Sequence, residues 1–242
     1  MSNLSPERIE QLLQGRLWDP HALLGPHKST DGSGAVVIRS FDPEAESVSA
    51  LLEAAEPIPM RRIHASGLFE CVAPGPLPNR PYRLRILDRR GQVSDRHDAY
   101  AFPPLLTDYQ LHLFSEGTFY RAYETMGAHL RDVRGVSGVH FVVWAPNAAR
   151  VSVVGDFNQW DGRRHPMTNR GSTGLWELFI PDLGNGTLYK YEIRPRGQDT
   201  ILLKADPYAF GSELRPKTAS VVTEVSTYAW NDQAWMEARS KW

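Results

Sequence analysis

The chain repeats itself, and that constrains its fold more than any other feature. Gly67-Leu68-Phe69-Glu70 is answered by Gly174-Leu175-Trp176-Glu177, and Tyr82 to Ile86 by Tyr189 to Ile193, each 107 residues on. Asp98-Ala99-Tyr100-Ala101-Phe102 returns as Asp206-Pro207-Tyr208-Ala209-Phe210 after 108 residues, and Phe41-Asp42-Pro43 as Trp144-Ala145-Pro146 after 103. Near-constant offsets over four blocks divide a chain before any local signal does. The 242 residues therefore hold two copies of one unit, a connecting stretch and short ends.

Each unit reads as β-structure. Short apolar runs are cut by Gly and Pro: Val36 to Ile38, Val48 to Leu52, Leu68 to Val72 and Tyr82 to Leu87 in the first copy. The second copy has Val139 to Trp144, Val151 to Val154, Trp176 to Ile180, Tyr189 to Ile193 and Ser220 to Val222. Short strands at this spacing predict an all-β fold of two tandem immunoglobulin-like β-sandwich modules with short flanking helices. Ser5-Pro6-Glu7 ahead of Ile9, Leu12 and Leu13 predicts a leading helix capped by Ser5 and stopped by Gly15. The boundaries read as 1–104 for the first module with that helix, 105–134 for a linker, 135–226 for the second module and 227–242 for a terminal segment. The linker carries Tyr109, Phe114, Phe119, Tyr120 and Tyr123, too many large rings for a free tether. It is expected to pack on the second module, with a helical turn near 118–124. A helix from Asn231-Asp232 through Ala238 is expected at the end, where Trp230, Trp235 and Trp242 crowd together. Exposed rings of that density call for a covering surface.

Charge narrows the function. With 27 basic and 28 acidic side chains the formal net charge is −1, which argues against nucleic acid or an anionic membrane as partner. The lone Cys71, in a strand pattern, reads as an inert core thiol and excludes a stapled secreted scaffold. The N-terminus has no apolar leader and the chain no apolar run of 18 residues, so neither signal peptide nor membrane span is expected and the cytoplasm is the default location. No metal-ligand spacing, phosphate loop, dinucleotide fingerprint or nucleophile elbow is present, so no metal, cofactor or catalytic residue is assigned.

The residues that suggest binding lie in the second copy. Gly155-Asp156-Phe157-Asn158-Gln159-Trp160 follows a strand, and an exposed Trp160 there presents a flat π-face to the C–H face of a glucose ring. Asn158 is placed to bond sugar hydroxyls. Lys190 alternates with Tyr189 and Tyr191, so it faces out if the tyrosines face the core. The bland alternatives are a loop-anchoring Trp160 and a solvated Lys190.

Phe141 to Ala148, Val154 to Asp161 and Leu203 to Ala209 resemble a family-48 carbohydrate-binding module. Asp19 to His27 ahead of a degenerate first copy, with Leu111 to Gly117 and Leu214 to Ser220, resembles the N-terminal region of bacterial glycogen branching enzymes. The resemblance implies a non-catalytic part of an enzyme that moves α-1,4-glucan segments onto 6-hydroxyls, with α-glucan and the enzyme's own catalytic barrel as partners. Such transfer needs two carboxylates about 5 Å apart, which the family carries on a (β/α)₈ barrel of roughly 250 residues. The barrel's motifs are missing here, so the chain alone is expected to be inactive. Relatives that bind sugar well carry a second aromatic on the loop before the Asp-Pro segment. Here that stretch is Gln198 to Leu203, and opposite the Trp160 loop the first copy has only Leu52 to Glu56. A stand-alone glucan-binding module and a purely structural docking module remain the alternatives.

Overall fold

The computed structural model describes residues 5–29, 34–53, 55–75, 77, 81–225 and 229–239. Ala54 of the first copy's loop and the terminal Trp242 lie outside the described residues.

The first copy is built from β1 (Gly25–Lys28), β2 (Val36–Phe41), β3 (Ala45–Leu51), β4 (Ile58–His64), β5 (Leu68–Ala73), β6 (Arg83–Asp88) and β7 (Val93–His97), in the antiparallel order β1-β2-β5-β4-β3-β6-β7. β4 lets this sheet fold over on itself: its first residues pair with β3 and its last with β5, with a register shift between Arg62 and His64. The two layers enclose Ile38, Val48, Phe69, Cys71, Tyr82, Leu84 and Ile86. Burial, with Glu70 beside it, pushes the Cys71 thiol up to about 11, so it stays protonated and inert.

The second copy comprises β8 (Gly127–Val133), β9 (Val136–Trp144), β10 (Ala148–Val154), β11 (Thr168–Asn169), β12 (Leu175–Pro181), β13 (Leu188–Pro195), β14 (Leu202–Lys204), β15 (Gly211–Ser212) and β16 (Ser220–Val221). One layer runs β11-β12-β9-β8 and the other β10-β13-β16-β15, with β14 also on β13. Val139, Phe141, Val151, Val153, Trp176, Leu178, Tyr189 and Tyr191 fill the space between. The chain is thus the all-β pair of sandwiches that the repeat predicts.

The duplication extends to single hydrogen bonds. The Tyr82 hydroxyl donates to Asp98 at 2.5 Å, and its counterpart Tyr189 donates to Asp206 at 2.7 Å. Each aspartate also accepts the backbone N–H two residues on, from Tyr100 or Tyr208. Asp42 N–H donates to the Gly67 carbonyl at 2.8 Å, and Ala145 N–H to the Gly174 carbonyl at 2.9 Å. Gly25 and Gly127 open the first strand of each copy at positive φ, and a Cβ on either would run into the carbonyl of Tyr100 or Tyr208.

Three local expectations are corrected. The leading helix α1 (Pro6–Leu13) forms, but the Ser5 side chain makes no capping bond; its carbonyl takes the first turn's N–H groups instead. The stretch after residue 104 contains a full helix, α2 (Asp108–Glu116), as well as a turn at Ala122–Glu124. Thr107 and Gln110 form a reciprocal capping box and Gly117 ends the helix at φ 73°. Leu111, Phe114 and Ala122 of this stretch pack with Leu106 and Met126 on Val142 and Leu175. Leu12, Leu17, Leu23 and Leu24, although they precede the first sandwich, join the cluster that contains the second sandwich's core. A terminal helix α3 (Gln233–Ala238) leaves Trp230 and Trp235 exposed.

Candidate functional site

The loop after β10 is shaped by its glycine and its asparagine. Gly155 passes so close to the Leu188 carbonyl that a Cβ would collide with it. Asn158, on a short turn at Asp156–Asn158, is fully buried. Its Oδ1 accepts from Gly155 N–H at 3.0 Å, and its amide donates to the Val153 carbonyl at 2.8 Å and to His165 Nδ1 at 2.9 Å. That pattern fixes the amide's orientation and makes His165 Nδ1 an acceptor. Burial, with the guanidiniums of Arg96 and Arg164, holds His165 down at about 3, in agreement with a neutral ring. The expectation that Asn158 meets sugar hydroxyls is therefore corrected: its amide is spent inside the loop, which it holds in shape.

What the loop presents is Trp160. Gln159 and Trp160 both take left-handed backbone conformations, at φ 58° and 59°. For a bulky residue that conformation costs roughly 1–2 kcal/mol and marks a functional site when its surroundings enforce it. Trp160 N–H donates to the Gly155 carbonyl at 3.0 Å, and the indole Nε1–H donates to Asp156 at 2.8 Å. The polar edge of the ring is tied down while the side chain stays 36% exposed.

Lys190 pairs with Val154, the residue from which this loop departs. Tyr189 and Tyr191 are fully buried, so Lys190 points away from the core. Its Nζ donates to Thr218 Oγ1 at 2.7 Å, in the hairpin loop between β15 and β16. Leu214, on that same loop, is 89% exposed. Thr218 and Leu214 entered the sequence reading only within the stretch Leu214 to Ser220 and not as binding residues. Their signal was the Lys190 side chain, which needs an acceptor where β16 lies beside β13. Lys190 thus stands on the strand beside the one from which the Trp160 loop departs, with its Nζ held by the loop between β15 and β16.

On the first copy, the loop after β3 offers Leu52, Glu53, Ala55 and Glu56, none aromatic. At Gln198–Leu203, Ile201 and Leu203 are exposed but present no ring. Among the described residues no group of three His, Cys, Asp or Glu side chains could hold a metal ion. Among them, too, no helix is long and apolar enough to cross a membrane.

A buried ion-pair system ties residues 105 and 106 to the second sandwich. Glu177 accepts from Leu105 N–H at 2.7 Å, from Leu106 N–H at 3.0 Å and from His140 Nε2 at 2.9 Å, with Arg170 Nε 3.1 Å away. Burial raises the Glu177 carboxyl, but these partners outweigh it and leave it below its ordinary value.

Residues 5–100 match the family model described as alpha-1,4-glucan branching enzyme GlgB, N-terminal domain, and residues 125–209 match carbohydrate-binding module 48 (isoamylase N-terminal domain). The chain is 46% identical over 242 residues to the 1,4-alpha-glucan branching enzyme GlgB of Methylococcus capsulatus, covering 100% of this chain and 32% of that one. It is 50% identical over 236 residues to GlgB of Gloeobacter violaceus, covering 96% of this chain and 31% of the relative. It spans about a third of the length of such relatives. Among solved structures, the pullulanase from Anoxybacillus sp. LM18-11 is 18% identical with a TM-score of 0.34, over 83% of this chain and 28% of that one.

Proposed function

The chain belongs to the branching-enzyme GlgB family, whose N-terminal domain and module 48 it carries, and on that premise we propose that its second sandwich binds α-1,4-glucan. Trp160 is the stacking platform, Lys190 bonds a sugar hydroxyl and Leu214 makes an apolar contact from the facing loop. Asn158 acts as a positioning residue for the platform. One observation carries this reading: a tryptophan held in a costly left-handed conformation, its indole N–H engaged and the residue 36% exposed. At the matching loop the first sandwich has no ring and serves there as a scaffold.

In the whole enzyme the two modules position long glucan for a catalytic barrel that cuts an α-1,4 chain and re-attaches it as an α-1,6 branch, in the cytoplasm. The working boundaries are 1–104, 105–134, 135–226 and 227–242, the last leading toward the barrel. The identities near 50% with GlgB relatives support that assignment.

Titrating maltoheptaose while following tryptophan fluorescence tests the site. Removing the Trp160 ring forfeits about 1.4 kcal/mol or more of apolar contact, a tenfold weaker Kd. Trp160→Ala is expected to show that loss with an unchanged unfolding temperature. An unaltered Kd in Trp160→Ala removes the residue from the site.

A further inference from the structure

Where the two sandwiches meet lies a cavity of about 200 Å³ that Trp160 does not line. Phe41 and Tyr100 of the first sandwich and Phe157 of the second supply rings to its wall. Arg96, His97, Arg164 and Asp182 supply its polar groups. The charges are already matched. Asp42 binds Arg96 at 2.8 Å and Arg164 at 3.1 Å, and Asp182 accepts from both the backbone N–H and Nδ1 of His97, at 2.8 and 2.9 Å. One donor is left over: Arg164 Nε, on a side chain only 7% exposed, has no hydrogen-bond partner among the described residues. A buried donor without an acceptor is costly, and a ligand oxygen satisfies it.

The cavity does not end blindly. His97, Asp182 and Leu183 also line an adjoining open trench of about 530 Å³ that continues past Arg134 and Ser137. Asp182 stands at the junction in a left-handed conformation, φ 63°, with its carboxylate partly open. Rings for C–H faces, guanidinium and carboxylate groups for paired hydroxyls, and balanced charge suit a neutral polyhydroxylated ring better than an anion. The volume suits one hexose unit, and the trench suits the units that follow it.

We infer that the seam between the sandwiches is a second saccharide site, which takes a terminal glucosyl unit of an α-glucan in the cavity and its next units in the trench. The inference rests on the proposed function for the class of ligand alone. Phe157 and Trp160 belong to one loop, so the loop that offers Trp160 to a glucan surface also walls the seam site. A chain end held at the seam and a chain body held at Trp160 then meet the same Gly155–Trp160 segment from two sides.

The test is maltotriose titrated into the full chain, followed by NMR of the Leu84 and Ile180 methyl groups, which line the cavity. In Trp160→Ala those methyls are expected to shift saturably, and in Trp160→Ala with Asp182→Asn the apparent affinity falls about tenfold with the loss of a charged acceptor. Asp182→Asn keeps the side chain's shape, and an unchanged unfolding temperature reports that the seam is intact. Methyls that stay still with maltotriose, or that shift with inorganic phosphate instead, overturn the inference. The two readings fail separately. A seam response without any Trp160 fluorescence response refutes the surface site alone, and the converse refutes the seam site alone.

Discussion

Glu177 offers the sharpest energetic test. Its carboxylate is 1% exposed and gathers two backbone N–H groups, an imidazole and a guanidinium around one point on β12. Glu177→Ala leaves the N–H groups of Leu105 and Leu106 without their acceptor and strands Arg170 and His140 beside a void. Removing one partner of a buried ion pair costs about 3–5 kcal/mol. For a chain of this size each kcal/mol moves the midpoint by about 2–4 °C, so a fall of roughly 10 °C is expected by calorimetry. Glu177→Gln keeps one acceptor oxygen but turns the other into a donor facing donors, at a cost of about 1.5–3 kcal/mol. The pH dependence has a definite sign. Because the folded carboxyl sits below its ordinary 4.5, its contribution is present above that pH and is lost as pH falls through the lower folded value. The gap between wild type and Glu177→Gln therefore closes on acidification below pH 4.5. Limited proteolysis gives a second readout, since residues 105 and 106 lose their anchor and the segment that follows becomes a cleavage site. A Glu177→Ala protein within about 1 kcal/mol of wild type would falsify this account of the anchor.

Further outcomes follow from the same geometry. Tyr82→Phe leaves buried Asp98 with only the Tyr100 N–H and is expected to cost about 1–3 kcal/mol in urea unfolding, whereas Tyr189→Phe costs less because Tyr191 still donates to Asp206 at 3.0 Å; a larger cost in the second copy contradicts this pairing. His165, held at about 3, binds its proton in the unfolded chain first, so stability drops as pH falls from about 6.5, by at most about 1.4 kcal/mol per unit from this group. The His165→Gln protein lacks that slope, and parallel curves for the two proteins contradict a neutral buried ring. Gly25→Ala and Gly127→Ala both force a Cβ against a carbonyl at positive φ, and each is expected to lower stability by more than about 1 kcal/mol. Unfolding curves that match wild type for either refute the close approach.

The sandwiches were legible because their evidence is local and doubled. Phe69 and Trp176, at matching repeat positions, and Tyr189 and Tyr191, on either side of Lys190, are all buried, and the copies corroborate one another down to the Tyr82–Asp98 and Tyr189–Asp206 bonds. Trp160 was legible as a tryptophan on a loop after a strand. Asn158 was misread because loop residues look alike until the backbone turns. Nothing in the spacing says that its amide folds inward to serve Gly155 N–H and the Val153 carbonyl. Helix α2 escaped because none of its residues is fully buried, so its apolar period is faint; the Thr107–Gln110 box and Gly117 were its readable signals. The docking of Leu12, Leu17, Leu23 and Leu24 against the second sandwich, and the Asp42–Arg96–Arg164 cluster, join residues far apart in sequence. A single sequence carries no pairing information over such separations. The seam cavity exists only once both copies are placed, which hides it from any reading along the chain.

The central claim is that the β10–β13 side of the second sandwich is a glucan surface organised around Trp160. A crystal structure of the chain grown with maltoheptaose tests it most directly. The account predicts a glucosyl ring lying parallel to the face of Trp160, with a sugar hydroxyl on Lys190 Nζ. A bare Trp160 face in crystals where the sugar is bound elsewhere on the chain would contradict it.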